Sequence, residues 1–247
     1  MNNFRLLFAF IIILDLISCT SGNKKESDSA ESVFARAQEL EKDGRTEEAI
    51  MKYQEVKNKY PYSKLATEAE LAAADVSFNE ESYPEAQVGY QVFRDLHPKH
   101  PKISFVIYRL AMSIFKQIPE TIDRDLTVAH SAIETYDDLI KQFPDSEHIA
   151  EAKEKRLECL KKLADKELYI TNFYLKKKNW GSALSRAEGL LNNHINLGFD
   201  ERALARAALA AAQNHNQDLS DKYKAQLQER FPGSHEFDDV KGTYLSR

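Results

Sequence analysis

The side chain with the clearest potential for chemistry is the thiol of Cys19, because of the segment that precedes it. One basic residue, Arg5, is followed by an apolar run from Leu6 to Leu14, and the cysteine comes directly after Leu16-Ile17-Ser18. The apolar run is too short to cross a bilayer core of ~30 Å as a helix. A basic start, an apolar centre and a small residue at the end are typical of a secretory signal peptide.

The sequence Leu-Ile-Ser-Cys that ends at Cys19 resembles a bacterial lipobox. That resemblance implies cleavage before Cys19, acylation of the new N-terminal cysteine and tethering to a membrane outside the cytoplasm. The absence of Asp after the cysteine, where Thr20 stands, implies sorting to the outer membrane. We therefore assign residues 1–18 to a lipoprotein signal peptide and the polar residues 19–30 to a lipidated flexible tether. The alternative is a plain signal peptide with an incidental cysteine.

The other reactive side chains form no recognisable catalytic or metal-binding pattern. His97 and His100 flank prolines without an acidic or cysteine ligand at matching spacing, and paired carboxylates stand at adjacent positions that point in different directions. The sequence contains no Gly-rich phosphate loop, no Gly-x-Ser-x-Gly elbow and no HExxH motif. We therefore expect a protein that is not an enzyme, with no metal and no cofactor. Cys159 stands among leucines and is expected to be a buried helical thiol.

Composition favours a helical protein that does not bind nucleic acid. The formal net charge of −5 lacks the basic excess that nucleic-acid binding requires. The chain has 8 glycines and 7 prolines in 247 residues, and it is rich in Ala, Leu, Glu and Lys, which favours helix throughout. The residues after position 18 are numerous enough for one large domain or a repeat array.

A repeat organises these helices into pairs. Four residues of the first unit recur at the same spacing in the second: Ala37, Ala49, Tyr53 and Pro61, then Ala74, Ala86, Tyr90 and Pro98. The spacing resembles the tetratricopeptide pattern, in which small residues allow the two helices to approach and Pro ends the second helix. We predict an all-α tetratricopeptide-repeat solenoid of about five helix pairs, at residues 31–61, 64–98, 102–144, 148–195 and 199–232.

The third and fourth units depart from this spacing. In the third unit the extra residues fall in a Pro-containing loop at 117–127, and in the fourth the apolar spacing predicts one long helix over 148–177. We divide the chain into N-terminal repeats (31–101), a middle repeat with an inserted loop (102–147), C-terminal repeats (148–234) and a tail (235–247).

Several short segments, in this order, make residues 30–234 similar to the BamD family of outer-membrane lipoproteins. They are Tyr60-Pro61-Tyr62-Ser63, His97-Pro98-Lys99-His100-Pro101, Gln117-Ile118, Asp123-Arg124-Asp125, Phe143-Pro144-Asp145-Ser146, Asn179-Trp180 and Ser185-Arg186-Ala187-Glu188. The resemblance implies a non-catalytic subunit of the β-barrel assembly machinery on the periplasmic face of the outer membrane, held there by a lipid anchor. It implies three kinds of partner: unfolded outer-membrane proteins, the periplasmic domains of a BamA-type barrel subunit, and other accessory lipoproteins. The alternative is a periplasmic tetratricopeptide lipoprotein that serves as a scaffold for peptidoglycan enzymes.

Candidate binding residues follow from the repeat positions and from this resemblance. The N-terminal repeats are the substrate-binding half, and their predicted groove-facing residues are Phe34, Gln38, Glu41, Lys42, Leu71, Asp75, Phe78 and Asn79. Core packing is the alternative for the three apolar members. The C-terminal repeats are the partner-docking half, with Arg186, Glu188, Arg202 and Arg206 as candidates and solvated helix charge as the alternative.

Overall fold

A computed structural model describes residues 29–245, and all regular secondary structure in this range is helical. The signal peptide at 1–18, Cys19 and the tether up to residue 28 lie outside the described residues. The helices between residues 29 and 245 are α1 (Ala30–Lys42), α2 (Thr46–Lys59), α3 (Lys64–Asn79), α4 (Tyr83–Leu96), α5 (Ile103–Lys116), α6 (Thr127–Gln142), α7 (Ile149–Lys176), α8 (Trp180–Asn193), α9 (Asp200–Gln213), α10 (Gln217–Arg230) and α11 (Glu236–Leu245).

The predicted all-α class and its five helix pairs are confirmed. The pairs are α1/α2, α3/α4, α5/α6, α7/α8 and α9/α10, and each begins and ends within a few residues of its predicted bounds. Residues 117–126 form the expected irregular segment between α5 and α6, and α7 is the expected long helix of 28 residues. Successive pairs also contact each other, through α4 with α5, α6 with α7 and α8 with α9.

The chain divides into two compact units, one ending at Ala69 and the other beginning at Glu70. In the first unit, Ala37 and Ala49 are fully buried, which allows α1 and α2 to approach closely. Tyr53 of α2 fills the space beside them and is 2 % exposed. The predicted roles of small and aromatic repeat residues are therefore observed in this pair.

The second unit has a large apolar core in which the same repeat positions recur. Tyr90 and Tyr136 are fully buried, and the core continues through the apolar face of α5. Cys159 of α7 is 1 % exposed, and burial raises the pKa of its thiol to about 11. This burial confirms the expectation of a buried helical thiol. The raised pKa also means that the side chain carries little thiolate at neutral pH.

A last helix, α11, lies in the segment that the sequence analysis left as a tail. It packs on α9, where Val240 is buried and Phe237 and Tyr244 are partly buried against the same core. Most of the alanines of α9 are fully buried. Because their side chains are small, the neighbouring helices α7, α8, α10 and α11 can all pack against α9. Ten residues with four apolar side chains among charges are too short a pattern to predict such a helix from sequence.

Two glycines give a matched test of the packing between α3 and α4. A Cβ atom added at Gly89 of α4 would lie 2.8 Å from the Cβ of Ala74 in α3, whereas one added at Gly189 of α8 would meet nothing within 4 Å. We expect Gly89→Ala to lower the free energy of unfolding by about 1–3 kcal/mol, because the two helices must move apart. We expect Gly189→Ala to raise it by about 0.5–1 kcal/mol, because the unfolded chain loses freedom. Denaturant unfolding measures both changes in the free energy of unfolding. Changes of the same sign in the two variants would contradict this view of the packing.

Candidate functional site

The first group of predicted groove residues lies on α1, in the first unit. Gln38 and Lys42 are exposed, while Phe34 and Glu41 are half-buried against Tyr53 of α2. The Phe34 and Tyr53 rings meet edge to face with their centroids 5.4 Å apart, and the Tyr53 hydroxyl donates a 2.7 Å hydrogen bond to Glu41 Oε2. These contacts hold Phe34 and Glu41 in place. Together with the amide of Gln38 and the ammonium group of Lys42, they form one surface of α1.

The second group lies in the second unit, where it is organised by a residue that the sequence analysis missed. Arg109 of α5 stacks on the Phe78 ring with its guanidinium carbon 3.8 Å from the centroid. Its Nη2 donates to Asn79 Oδ1 at 3.1 Å and its Nε donates to the Tyr90 hydroxyl at 3.2 Å. That hydroxyl donates in turn to Asp75 Oδ1 at 2.5 Å. Asp75, Phe78 and Asn79 are thus brought together around one cation, and their role in a substrate groove stays a prediction.

A signal for Arg109 is present in the sequence. The fourteen residues of α5 are almost continuously apolar, and Arg109 is their only charged residue before Lys116 ends the helix. A single cation in an apolar helix needs acceptors from neighbouring elements. Burial raises the pKa of Tyr90 far above its usual value, with the Asp75 carboxylate adding to the effect, so this hydroxyl keeps its proton and continues to donate.

Leu71 is the member of the second group that the structure contradicts. It is 4 % exposed and belongs to the apolar cluster that includes Ala74, Phe93 and Ile107. Its side chain therefore packs in the core of the second unit and cannot face a ligand. Core packing was the alternative for each apolar candidate, and for Leu71 it is the correct one.

A cleft lies between α6, α7 and α8. Its volume is about 660 Å³, within the range of ~300–1,000 Å³ typical of binding sites. Arg186 stands at its rim with Nη1 3.2 Å from both Glu167 carboxylate oxygens. Its lining combines apolar and polar side chains, which include Ile133, Leu160, Leu163, His130, Glu167 and Arg186.

His194 contributes an unsatisfied polar atom to this cleft. Its Nδ1 is buried and has no hydrogen-bond partner among the residues that the structure describes. Burial lowers the pKa of His194, the nearby His130 lowers it further and Glu167 opposes both. A buried polar atom without a partner is costly, and a bound group that donates to Nδ1 or accepts from it, according to the imidazole tautomer, would remove that cost.

The lowered pKa of His194 predicts a pH dependence of stability. The unfolded imidazole has a pKa of ~6.5, so below that pH the unfolded state binds more protons than the folded state. The stability present above about pH 6.5 is therefore lost as the pH falls toward the folded-state pKa. We expect the thermal midpoint to fall less between about pH 7.5 and about pH 5.5 in His194→Asn than in the unmodified chain. His235→Asn is the control, since His235 is exposed; an equal change in both variants would contradict the prediction.

The three other partner-docking candidates differ in their availability. Arg206 is only 12 % exposed, and it donates to Asn172 Oδ1, to the Arg202 carbonyl and to Glu236 Oε2. Its guanidinium therefore joins α7, α9 and α11 within the fold, which contradicts its assignment as a free interface residue. Glu188 accepts a 2.7 Å hydrogen bond from the Tyr223 hydroxyl. Arg202 is half-buried, and its guanidinium carbon lies 5.0 Å from the centroid of the Phe199 ring.

Residues 29–245 contain neither a candidate metal cluster nor a helix that could span a membrane. No group of three or more His, Cys, Asp or Glu side chains in this range is arranged to hold a metal ion. None of the helices described here combines the length and the apolar character needed to cross a membrane.

A family model and a set of named relatives match most of the chain. The family model, YfiO, is described as an outer membrane lipoprotein and matches residues 26–233. A relative from Neisseria gonorrhoeae is 22% identical over 246 residues, covering 93% of this chain and 92% of its own. One from Xylella fastidiosa strain 9a5c is 26% identical over 241 residues, covering 92% and 81%. Both are named outer membrane protein assembly factor BamD.

Solved structures with similar helix arrangements were also found. A structure titled as a functional characterization of Pseudomonas aeruginosa pilF has 15% identity and a TM-score of 0.37, covering 87% of this chain and 82% of its own. A tetratricopeptide repeat protein from Parabacteroides merdae has 15% identity and a TM-score of 0.39, covering 86% and 72%.

Proposed function

The chain belongs to the YfiO family of outer membrane lipoproteins, and from this premise we propose that it is a non-catalytic subunit of the β-barrel assembly machinery. Its relatives are named as outer membrane protein assembly factors, which indicates assembly rather than a chemical reaction. Such a subunit works by binding and positioning, which requires surfaces of mixed polarity rather than a catalytic constellation.

The N-terminal repeats are the proposed contact for unfolded outer-membrane proteins. On α1, Phe34, Gln38 and Lys42 offer an aromatic edge, an amide and a cation, and around Arg109 the second unit offers Phe78 and Asn79. An extended segment presents backbone groups and alternating side chains, which suit such mixed surfaces. Each surface is proposed as a separate contact for the substrate, without Leu71.

The C-terminal repeats are the proposed docking end for the periplasmic domains of a BamA-type barrel subunit. The observation that carries this proposal is the cleft of about 660 Å³ with Arg186 at its rim and the unsatisfied Nδ1 of His194 inside it. A lining that combines apolar side chains with a few polar groups is suited to anchor a partner segment. The lipid on Cys19 would hold the protein at the periplasmic face of the outer membrane, beside other accessory lipoproteins.

Affinity purification tests this function directly. The tagged full chain is isolated from gently solubilised outer membranes and its partners are identified by mass spectrometry. We expect near-stoichiometric recovery of a large barrel protein that bears periplasmic repeat domains. Recovery of cell-wall enzymes without that barrel would contradict the proposal and favour the peptidoglycan-enzyme scaffold.

A further inference from the structure

A second cleft lies on the other side of α7, where the end of α5 and the 117–126 segment meet the middle of that helix. Its volume is about 500 Å³, which is also within the range of small-molecule sites. The apolar part is formed by Phe115, Ile118 and Cys159. None of these residues belongs to the groove surfaces or to the cleft at Arg186.

The rim of this second cleft is positively charged. Lys116, Lys161 and Lys162 line it, together with the carboxylates Glu120 and Glu158. Glu158 is already neutralised by Lys155, whose Nζ lies 2.7 Å from Glu158 Oε1. One carboxylate therefore remains against three ammonium groups, and this charge balance favours an anionic ligand.

The apolar part offers few hydrogen bonds to a ligand. The amides of α5 and α7 are used within their helices, and the backbone N–H of Ile118 donates to the Phe115 carbonyl at 3.0 Å. An extended peptide segment bound here would leave its own amides without partners at these contacts, which is costly. An acyl chain has no polar atoms to satisfy, so it matches this surface better than a peptide does.

We propose that this cleft binds a single-chain anionic lipid, either a fatty acid or a monoacyl phospholipid. The acyl chain lies on Phe115 and Ile118, beside the buried Cys159, and the anionic headgroup lies between Lys161 and Lys162. The carboxylate of a fatty acid and the phosphate of a monoacyl lipid share the chemistry that the lysines recognise. The site would thus sense or carry a lipid, a role separate from barrel docking and from substrate binding.

Displacement of a fluorescent fatty acid tests the site. The chain from residue 19 to 247 with Cys19→Ser, which carries no acyl group of its own, is titrated with dansyl-undecanoate. Dodecanoate, monoacyl phosphatidylglycerol and dodecanol are then compared as competitors. We expect the two anions to displace the probe at least about fivefold more strongly than dodecanol does. Shortening the fatty acid by two methylenes should weaken displacement about tenfold.

Two variants and a charge-matched control locate the site. Lys161→Glu with Lys162→Glu should weaken probe binding about tenfold or more, and Ile118→Glu should do the same by charging the apolar wall. Lys153→Glu with Lys222→Glu makes the same change in net charge at exposed lysines away from the cleft and should leave probe binding unchanged. Circular dichroism verifies that each variant keeps its helices.

The outcomes separate the possible ligands. Stronger displacement by dodecanoate identifies a fatty acid site, and stronger displacement by monoacyl phosphatidylglycerol identifies a phospholipid site; both support the proposal. If dodecanol displaced the probe as strongly as the two anions do, the proposed role of the lysines would be wrong. Unchanged binding in the folded Lys161/Lys162 variant, or tighter binding of an acidic peptide rich in aromatic residues than of dodecanoate, would overturn the proposal itself.

Discussion

Replacing Cys19 by serine is expected to remove the protein from the outer membrane fraction. The lipobox-like sequence Leu-Ile-Ser-Cys predicts acylation at this cysteine. Each buried methylene contributes ~0.8 kcal/mol, and stable anchoring needs more than one acyl chain. Without the thiol no chain is attached, so the outer-membrane fraction of the protein should fall about tenfold or more. Separation of the two membranes by density, followed by immunoblotting, measures the change.

Cys159→Ala is the matched control for Cys19→Ser. Cys159 is the other cysteine of the chain and is buried in the core of the second unit, so its loss should not affect fractionation. Mass spectrometry of the protein without substitutions should show a chain that begins at Cys19 and carries acyl groups. Retention of Cys19→Ser equal to that of Cys159→Ala, together with a spectrum in which Cys19 carries no acyl group, would rule out the lipid tether and favour the plain signal peptide.

The fold could be predicted to nearly its full extent because its repeat depends on side-chain volume at fixed spacing. Alanine at positions 37 and 49 and tyrosine at 53 pack as the tetratricopeptide pattern requires, and the same spacing places Tyr90 and Tyr136 in the next two units. Long apolar periodicity also marked α7 correctly. These features are local, and a local pattern can be read without knowing which helices meet.

The candidate sites could be predicted only in part, because they depend on contacts between helices that are distant in sequence. Spacing predicted Asp75, Phe78 and Asn79 as groove residues, but the cation that gathers them comes from α5. Arg206 was chosen as a partner-docking candidate, yet it bonds to Glu236 of a helix that no clear periodicity marks. Clefts are harder still, since the cleft at Arg186 exists where three helices leave space between them.

Reversing the charge of Arg186 is the strongest test of the proposed docking role of the C-terminal repeats. Its side chain is about half exposed at the cleft rim, with Nη1 3.2 Å from the Glu167 carboxylate. In Arg186→Glu two carboxylates face each other there, and the rim becomes negative. We expect association with the barrel subunit to weaken about tenfold to a hundredfold, because Arg residues at the centre of an interface often contribute ~2 kcal/mol or more. Surface-immobilised binding of the purified periplasmic domains gives the dissociation constants.

Two further variants show whether the effect belongs to this end of the molecule. Lys42→Glu makes the same charge change on α1 of the first unit, where we expect little effect on docking and weaker binding of a substrate peptide. Glu167→Gln removes the internal partner of Arg186 but keeps the guanidinium, so docking should persist. If Lys42→Glu and Arg186→Glu weaken docking equally, the assignment of substrate and partner to opposite ends of the chain is wrong, since both changes would then act only through net charge.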